Sequence, residues 1–500
     1  MEALLDADDF VEFESRRRVF NEIMETLTDE NIAIIGICGM GGTGKTKLVM
    51  EIGKKAKKEG LFDSVVMTIA SQDPDIRRMQ GILADMLPLK LKGTSEADRA
   101  AELSERLKKE RRVLIILDDV WEKLNLADIG MPSTLDHKCC KLVLTTRRAQ
   151  VCDDMCCQRM FHLNVLDDSE ALDLFSKHAR ITSDGNSQRH SMAKKVVKEC
   201  CGLPLAIETV GSALRNKSLG DYDVAIRKLS QSTYVDIESA DREIYPAIQL
   251  SVDYLECKET VGCLTLFSLY PEDSAINLED FTQIAFGIGL FENVNSIEEA
   301  RQNTLRCVTR LLDACLLLPS QGTLESWKSF KQIYETWNKA LVHSHRFIPS
   351  VKVHDIVRDV ALWLSRKDKF FYLQKSPSKK QSKEYEDAIA ISIKDCGRDC
   401  RLKCPKLKLL LVETDISGLQ DGCFEMMSAL QVLKVNVDDS SDTEIFAENT
   451  FPASIQHLHD LRTFHFNGNG FGDRYLIQYP VINLKLGTSI FIYITTLKNE

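Results

Sequence analysis

The sequence predicts an α/β fold built on a parallel sheet, followed by a mostly helical region and then a short repeat array. Three observations point there. Apolar runs of strand length, "NIAIIGI", "SVVMTIA", "RVLIILDD" and "KLVLTT", recur through residues 12–165 with helix-like segments between them. Strands that are apolar throughout belong in a sheet covered on both faces. From Leu166 to about residue 370 the apolar spacing becomes three to four, as in "DDSEALDLFSKHA" and "DFTQIAFGIGLF", with acidic starts that suit helix N-termini. Near residue 400 the period changes again, and "LKLLLV", "LQVLKV" and "LRTFHF" each fit L-x-x-L-x-L, anchored at Leu407, Leu430 and Leu461.

The anchors are 23 and then 31 positions apart, so the second leucine-rich repeat carries an insertion beyond the usual length. Repeats are expected over 385–480 and an irregular tail over 481–500, because "YLIQYPVINLKLGTSIFIYITTLKNE" shows no repeat pattern. The array reads as truncated.

A chain of 500 residues exceeds what one core organises, which implies about three to four domains. Its 64 Lys and Arg against 74 Asp and Glu leave a net charge of −10, the wrong sign for a general nucleic-acid binder. Met1 to Asp9 is acidic, unlike a signal peptide, so the 16 cysteines read as reduced thiols of a cytoplasmic protein. Neither the adjacent pairs Cys139-Cys140, Cys156-Cys157 and Cys200-Cys201 nor Cys396, Cys400 and Cys404 have zinc-site spacing. No apolar run reaches the roughly 18 residues of a membrane span.

The chemistry concentrates in "GICGMGGTGKTKL". Gly39 to Thr46 reads G-x-x-x-x-G-K-T between a strand and a helix-like segment, the context of a P-loop. Backbone N–H groups of Gly39, Met40, Gly41, Gly42, Thr43 and Gly44 converge on phosphate oxygens, and the helix N-terminus adds its positive dipole end. Lys45 reaches the β- and γ-phosphates, and the Thr46 hydroxyl binds Mg²⁺. In "LIILDDVW" a buried strand ends at Asp118, the second metal-side group, while Asp119 stands where a water-orienting carboxylate would. Arg147 follows another strand end in "KLVLTTRR", placed to sense a γ-phosphate.

In order and separation these motifs resemble the NB-ARC module of plant NLR immune receptors, the coiled-coil type of disease-resistance protein, over roughly residues 10–470. The resemblance rests also on "FESRRRVFNEIMETL", "TTR" at 145–147, "CCGLPLAI" at 200–207, "SLYPED" at 268–273 and "VKVHDIVRDVA" at 351–361. It implies a linker over 1–11, an α/β P-loop NTPase domain over 12–165, a small helical domain over 166–235, a winged-helix domain over 236–372 and leucine-rich repeats. It further implies ADP in the resting state, Pro204 packed on the adenine, Arg147 as γ-phosphate sensor and His354 touching the ADP β-phosphate. Two positions depart from the family: Val353 stands where methionine is usual, and Lys47, beside the α-phosphate, where threonine is common. Only about thirty residues precede the first strand, too few for the family's N-terminal signalling domain.

The function this implies is an ADP/ATP switch of plant defence, cytoplasmic, a weak ATPase at most, forming an oligomer when ATP-bound. Its protein partners would be a pathogen effector, a guarded host protein or other receptors of the class. The alternatives are a turnover ATPase, against which no glutamate follows Asp118, and a truncated receptor that acts by binding full-length ones. A DNA-binding winged helix is disfavoured because "VHDIVRDVALWLSRKDK" alternates acidic with basic residues.

Overall fold

The computed structural model describes residues 13–72, 74–131, 140–181, 187–231, 244–272, 274–320, 349–375, 382–395, 402–414, 422–437, 453–467 and 491–495. The expected 1–11 linker and the expected boundary at 235–236 lie outside them. The chain divides into two compact units, Met1–Glu256 with Leu312–Lys328, and Cys257–Leu311 with Ser329–Glu500.

The first unit holds a five-stranded sheet in the order β2-β3-β4-β1-β5, every pairing parallel. Its strands are β1 (Ile34–Cys38), β2 (Ser64–Ile69), β3 (Val113–Asp118), β4 (Cys140–Thr146) and β5 (Arg159–His162). The four expected strands are all present. β5 is an addition: "RMFH" buries only Phe161, so it lacks the apolar run that marks the others.

Residues alternate across this sheet with period two. Ile35, Ile37, Val65, Leu114, Ile116 and Val143 pack with Leu48, Val49, Ile52 and Ala56 of α2 (Lys45–Lys58) and with Ile23 of α1 (Glu14–Thr26). Their neighbours Ile34, Val66, Ile115, Leu117, Leu142 and Leu144 pack with Met79 and Leu83 of α3 (Ile76–Met86), Leu103 and Leu107 of α4 (Glu96–Lys108), and Val151 and Cys152 of α5 (Ala149–Asp154). Both faces are covered, which is why β1, β3 and β4 are buried along their whole length.

Among the described residues five further helices follow in the unit: α6 (Asp168–Ala179), α7 (Ser187–Glu199), α8 (Pro204–Ala213), α9 (Leu219–Gln231) and α10 (Tyr245–Asp253). Asp167 caps α6 by accepting from the N–H groups of Ser169 and Glu170, the acidic start read from the sequence. Phe175 and Tyr222 meet edge to face at 6.2 Å.

In the second unit α11 (Lys258–Ser268) and α12 (Leu278–Gly287) stack Phe267 on Phe281 at 3.8 Å. Strands β6 (Ile276–Asn277) and β8 (Ser350–Lys352) pair antiparallel, and β8 leads into α14 (Asp355–Ser365). Helix α13 (Ile297–Asp313) lies between them in sequence, and the two-residue strand β7 (Leu318–Pro319) that follows it belongs to the first unit.

Beyond α14 the unit continues as a six-stranded parallel sheet in sequential order: β9 (Phe370–Lys375), β10 (Ala390–Asp395), β11 (Leu409–Thr414), β12 (Val432–Val437), β13 (Thr463–Asn467) and β14 (Phe491–Thr495). The anchors Leu407, Leu430 and Leu461 are fully buried, each two residues before its strand. The segment read as an irregular tail therefore contains a strand, Phe491–Thr495, in register with β13. Backbone pairing extends the sheet there without the leucine pattern. Among the described residues no helix is long and apolar enough to cross a membrane.

Candidate functional site

β1 delivers the chain at Cys38 to the loop Gly39–Gly44, and α2 starts at Lys45. Two glycines are dictated by geometry. Gly44, the N-cap of α2, has φ 95°, which an L side chain rarely adopts. Gly42 has φ 72°, and a Cβ on it would lie 2.9 Å from Ile244 Cδ1 and 3.0 Å from Leu205 Cβ. The Lys45 ammonium donates to the carbonyls of Gly39 (2.7 Å) and Met40 (2.8 Å), and Thr43 Oγ1 donates to Met40 O at 2.8 Å. Thr46 and Lys47 are exposed on the first turn of α2.

At the C-terminal end of β3, Asp118 is buried and accepts from the Thr145 hydroxyl of β4, whose oxygen in turn accepts from the Asp119 N–H at 2.9 Å. Asp119 has φ 53°, the bend that turns the chain off the strand. Its carboxylate accepts from Trp121 Nε1 at 2.8 Å and lies 3.4 Å from Arg147 Nε. The Arg147 guanidinium sits 4.7 Å from the Trp121 ring centroid. Asp118, Asp119 and Arg147 thus lie at the C-terminal ends of β3 and β4, with Asp119 and Arg147 facing each other.

Pro204 is the first residue of α8, where a missing N–H costs nothing. The next N–H, of Leu205, donates to Gly42 O at 3.3 Å, which brings the Pro204 end of α8 to the loop. Lys47 Nζ lies 3.5 Å from Glu208 on the same helix. Both side chains are partly exposed, so this pair contributes little to stability. His354 belongs to the second unit, where it caps α14: its Nδ1 accepts from the Ile356 N–H at 3.3 Å and contacts the Asp355 carboxylate. Val353 before it is buried.

Sequence reasoning missed how α1 reaches the loop. Arg16 is buried and donates to Thr43 O at 3.2 Å, and burial holds its guanidinium below the ordinary arginine pKa, with the Glu170 charge opposing. Ser15 donates to Glu170 of α6 through both its N–H (2.9 Å) and its hydroxyl (2.7 Å). Within "ESRRR" only Arg16 is buried and Arg17 and Arg18 are exposed, a difference that the residue types do not signal.

A parallel sheet with a glycine loop between β1 and α2, a lysine in that loop and a carboxylate at the end of β3 defines a P-loop nucleotide-binding α/β protein. Residues 16–185 match the model of the NB-ARC domain. The chain is 34% identical over 348 residues to the disease resistance protein At4g27190 of Arabidopsis thaliana, covering 69% of this chain and 32% of that protein. It is 28% identical over 466 residues to the probable disease resistance protein At1g61310 of the same plant, covering 90% of this chain and 47% of the relative. With the disease resistance protein RPS5 of Arabidopsis thaliana the figures are 28% over 470 residues, 90% and 48%. The solved ORC2 protein of Aeropyrum pernix in ADPNP-ADP complexes covers 73% of this chain and 98% of its own at 12% identity, with a TM-score of 0.35, too loose a likeness to carry an argument. The chain belongs to the NB-ARC family of plant disease-resistance proteins. It spans between about a third and a half of the length of these relatives.

Proposed function

We propose that this chain is a nucleotide-operated switch of plant defence that holds ADP at rest, exchanges it for ATP to become active, and hydrolyses ATP slowly. The observation that carries the reading is the hydrogen bond from Leu205 N–H to Gly42 O. It joins the phosphate loop to the helix that starts at Pro204, so a nucleotide held by the loop bears on the helical part of the same unit. In this reading Lys45 binds the β- and γ-phosphates, the loop N–H groups of Gly39 to Thr46 cradle them, and Pro204 packs on the adenine.

Thr46 and Asp118 supply hydroxyl and carboxylate oxygens, the donor chemistry that Mg²⁺ takes, so these residues fit the ion and would hold it. When bound, Mg²⁺ neutralises charge on the β- and γ-phosphate oxygens. Asp119 has both oxygens engaged, by Trp121 and by Arg147, which leaves it a poor base for a water and supports slow hydrolysis over a turnover ATPase. Arg147 senses the γ-phosphate by exchanging Asp119 for it. Turning a 1:99 population around takes about 5.5 kcal/mol of differential binding. Two or three charge-assisted hydrogen bonds at about 1.5–3 kcal/mol each are of that size.

The resemblance adds His354 as a second contact to the ADP β-phosphate, which Nε2 would make, since Nδ1 serves its own helix. It also adds recognition of an effector or a guarded host protein, with assembly into an oligomer in the ATP form. The test is to heat-denature the purified chain and identify the nucleotide released. ADP near one per chain supports the switch; a nucleotide-free chain, or fast steady-state phosphate release, overturns it.

A further inference from the structure

Helix α5 ends in a Schellman turn: the Cys157 N–H donates to Cys152 O and the Cys156 N–H to Asp153 O, both at 2.9 Å, with Cys156 left-handed at φ 55°. This turn brings the side chain of its first residue against the one five positions later. Here both are cysteines. The Cys157 thiol hydrogen-bonds to Cys152, a contact that holds the Cys152 thiol below its ordinary value and pushes the Cys157 thiol up. Both sulfurs also close on one spot against β1: a Cβ on Gly36 would lie 2.5 Å from Cys152 Sγ and 3.1 Å from Cys157 Sγ.

We propose that Cys152 and Cys157 form an oxidisable dithiol, a modification site that closes to an intramolecular disulfide under a peroxide. Cys152 is buried and Cys157 only partly, so the oxidant meets Cys157 first. The sulfur of the Cys157 thiol attacks one peroxide oxygen, the O–O bond breaks, and the departing hydroxide takes up the Cys157 thiol proton to leave as water. The Cys152 sulfur then attacks the sulfenic sulfur, the S–S bond forms, the S–O bond breaks, and a second water leaves. The two thiols lose two electrons and two protons, and one peroxide becomes two waters.

Two other thiol arrangements show why this pair is singled out. Cys263 and Cys307 also contact each other, but both are fully buried and no oxidant reaches them. Cys156 is exposed, yet it sits at the left-handed residue of the turn, one position from Cys157, and neighbouring residues bridge only with strain. The disulfide closes at the end of α5, a helix that starts two residues after Arg147, and it lies against the strand that carries the phosphate loop.

The experiment treats the purified full chain with hydrogen peroxide at low molar excess, alkylates the remaining thiols, digests without reductant and maps the peptides by mass spectrometry. The expected product is a Cys152–Cys157 linkage that dithiothreitol reverses, that persists in Cys156→Ser and that is absent in Cys157→Ser. Linkage through Cys156, overoxidation of Cys157 with Cys152 still alkylated, or no linkage at all would overturn the proposal. The unmutated chain alone decides among these outcomes, whether or not a variant folds.

Discussion

Arg147 Nε lies 3.4 Å from Asp119 Oδ1, and the same carboxylate accepts from the Trp121 indole whose ring the guanidinium covers. The two side chains that the sequence nominated for catalysis are thus each other's partners. With little of the arginine exposed, the pair is a partly desolvated contact, stronger than a surface one.

If Asp119 holds Arg147 in place and does not take a proton from water, Asp119→Asn keeps the Trp121 acceptor in its amide oxygen and turns an uncharged NH2 group toward Arg147. Single-turnover ATP hydrolysis should then change by less than about tenfold, whereas loss of a general base costs ~10²–10⁴. The rate measured at saturating ATP separates the two.

Lys45 donates to two loop carbonyls, and in the proposed reading its ammonium would be shared between these and the phosphates. Lys45→Ala removes a charge-assisted contact worth about 1.5–3 kcal/mol, which predicts ADP binding weaker by roughly tenfold to a hundredfold in calorimetry. Nucleotide copurifying at the level of the parent chain would refute the phosphate assignment.

Arg16 ties α1 to the loop through Thr43 O while lying near Glu170. Arg16→Ala should lower the stability of the first unit by about 1–3 kcal/mol, since it strands a buried carbonyl and a carboxylate near its surface. Arg17→Ala, at an exposed site, should shift it by less than about 0.5 kcal/mol. Urea titration of both variants makes the comparison.

How much of this was legible follows from what each residue does. The phosphate loop, Lys45 and Asp118 were readable because they sit where apolar runs end, and an apolar run long enough to be a buried strand announces itself. Strand β5 was not, because an edge strand that buries only Phe161 leaves no run. Arg16, Leu205 and Ile244 acquire their roles only when distant segments meet at Thr43 and Gly42. Likewise Asp119 and Arg147 were read as separate chemical groups, since nothing in "LDDVW" or "TTRR" tells that the fold sets them face to face.

His465 on β13 is buried, and its pKa is held down to about 4, first by burial and then by the Lys434 ammonium, with the Asp280 carboxylate opposing. Its unfolded value is near 6.5, so between those values the unfolded chain binds a proton that the folded one does not. Stability of the second unit is therefore full above about pH 6.5 and falls as pH drops, by about 3 kcal/mol on reaching pH 4. Denaturant titrations at pH 7 and pH 5 should show the loss, and His465→Gln should flatten it.

Gly36 offers a direct test of how closely the two thiols press on β1. A methyl group there would lie 2.5 Å from Cys152 Sγ and 3.1 Å from both Cys152 Cβ and Cys157 Sγ, so rotating one sulfur away does not clear the space. Gly36 is in the middle of a fully buried strand, paired on both sides, which prevents the backbone from backing off. Overpacking of this kind costs about 1–3 kcal/mol, and that is the destabilisation expected for Gly36→Ala. Cys152→Ala removes the 2.5 Å contact and leaves only the two at 3.1 Å, which small shifts relieve, so in its presence Gly36→Ala should cost less. The double-mutant cycle should therefore show coupling of more than about 1 kcal/mol, against near additivity for Gly36→Ala combined with Cys263→Ala in the second unit, with which it shares no partner. Additivity in both cycles would mean that the sulfurs do not lie against Gly36.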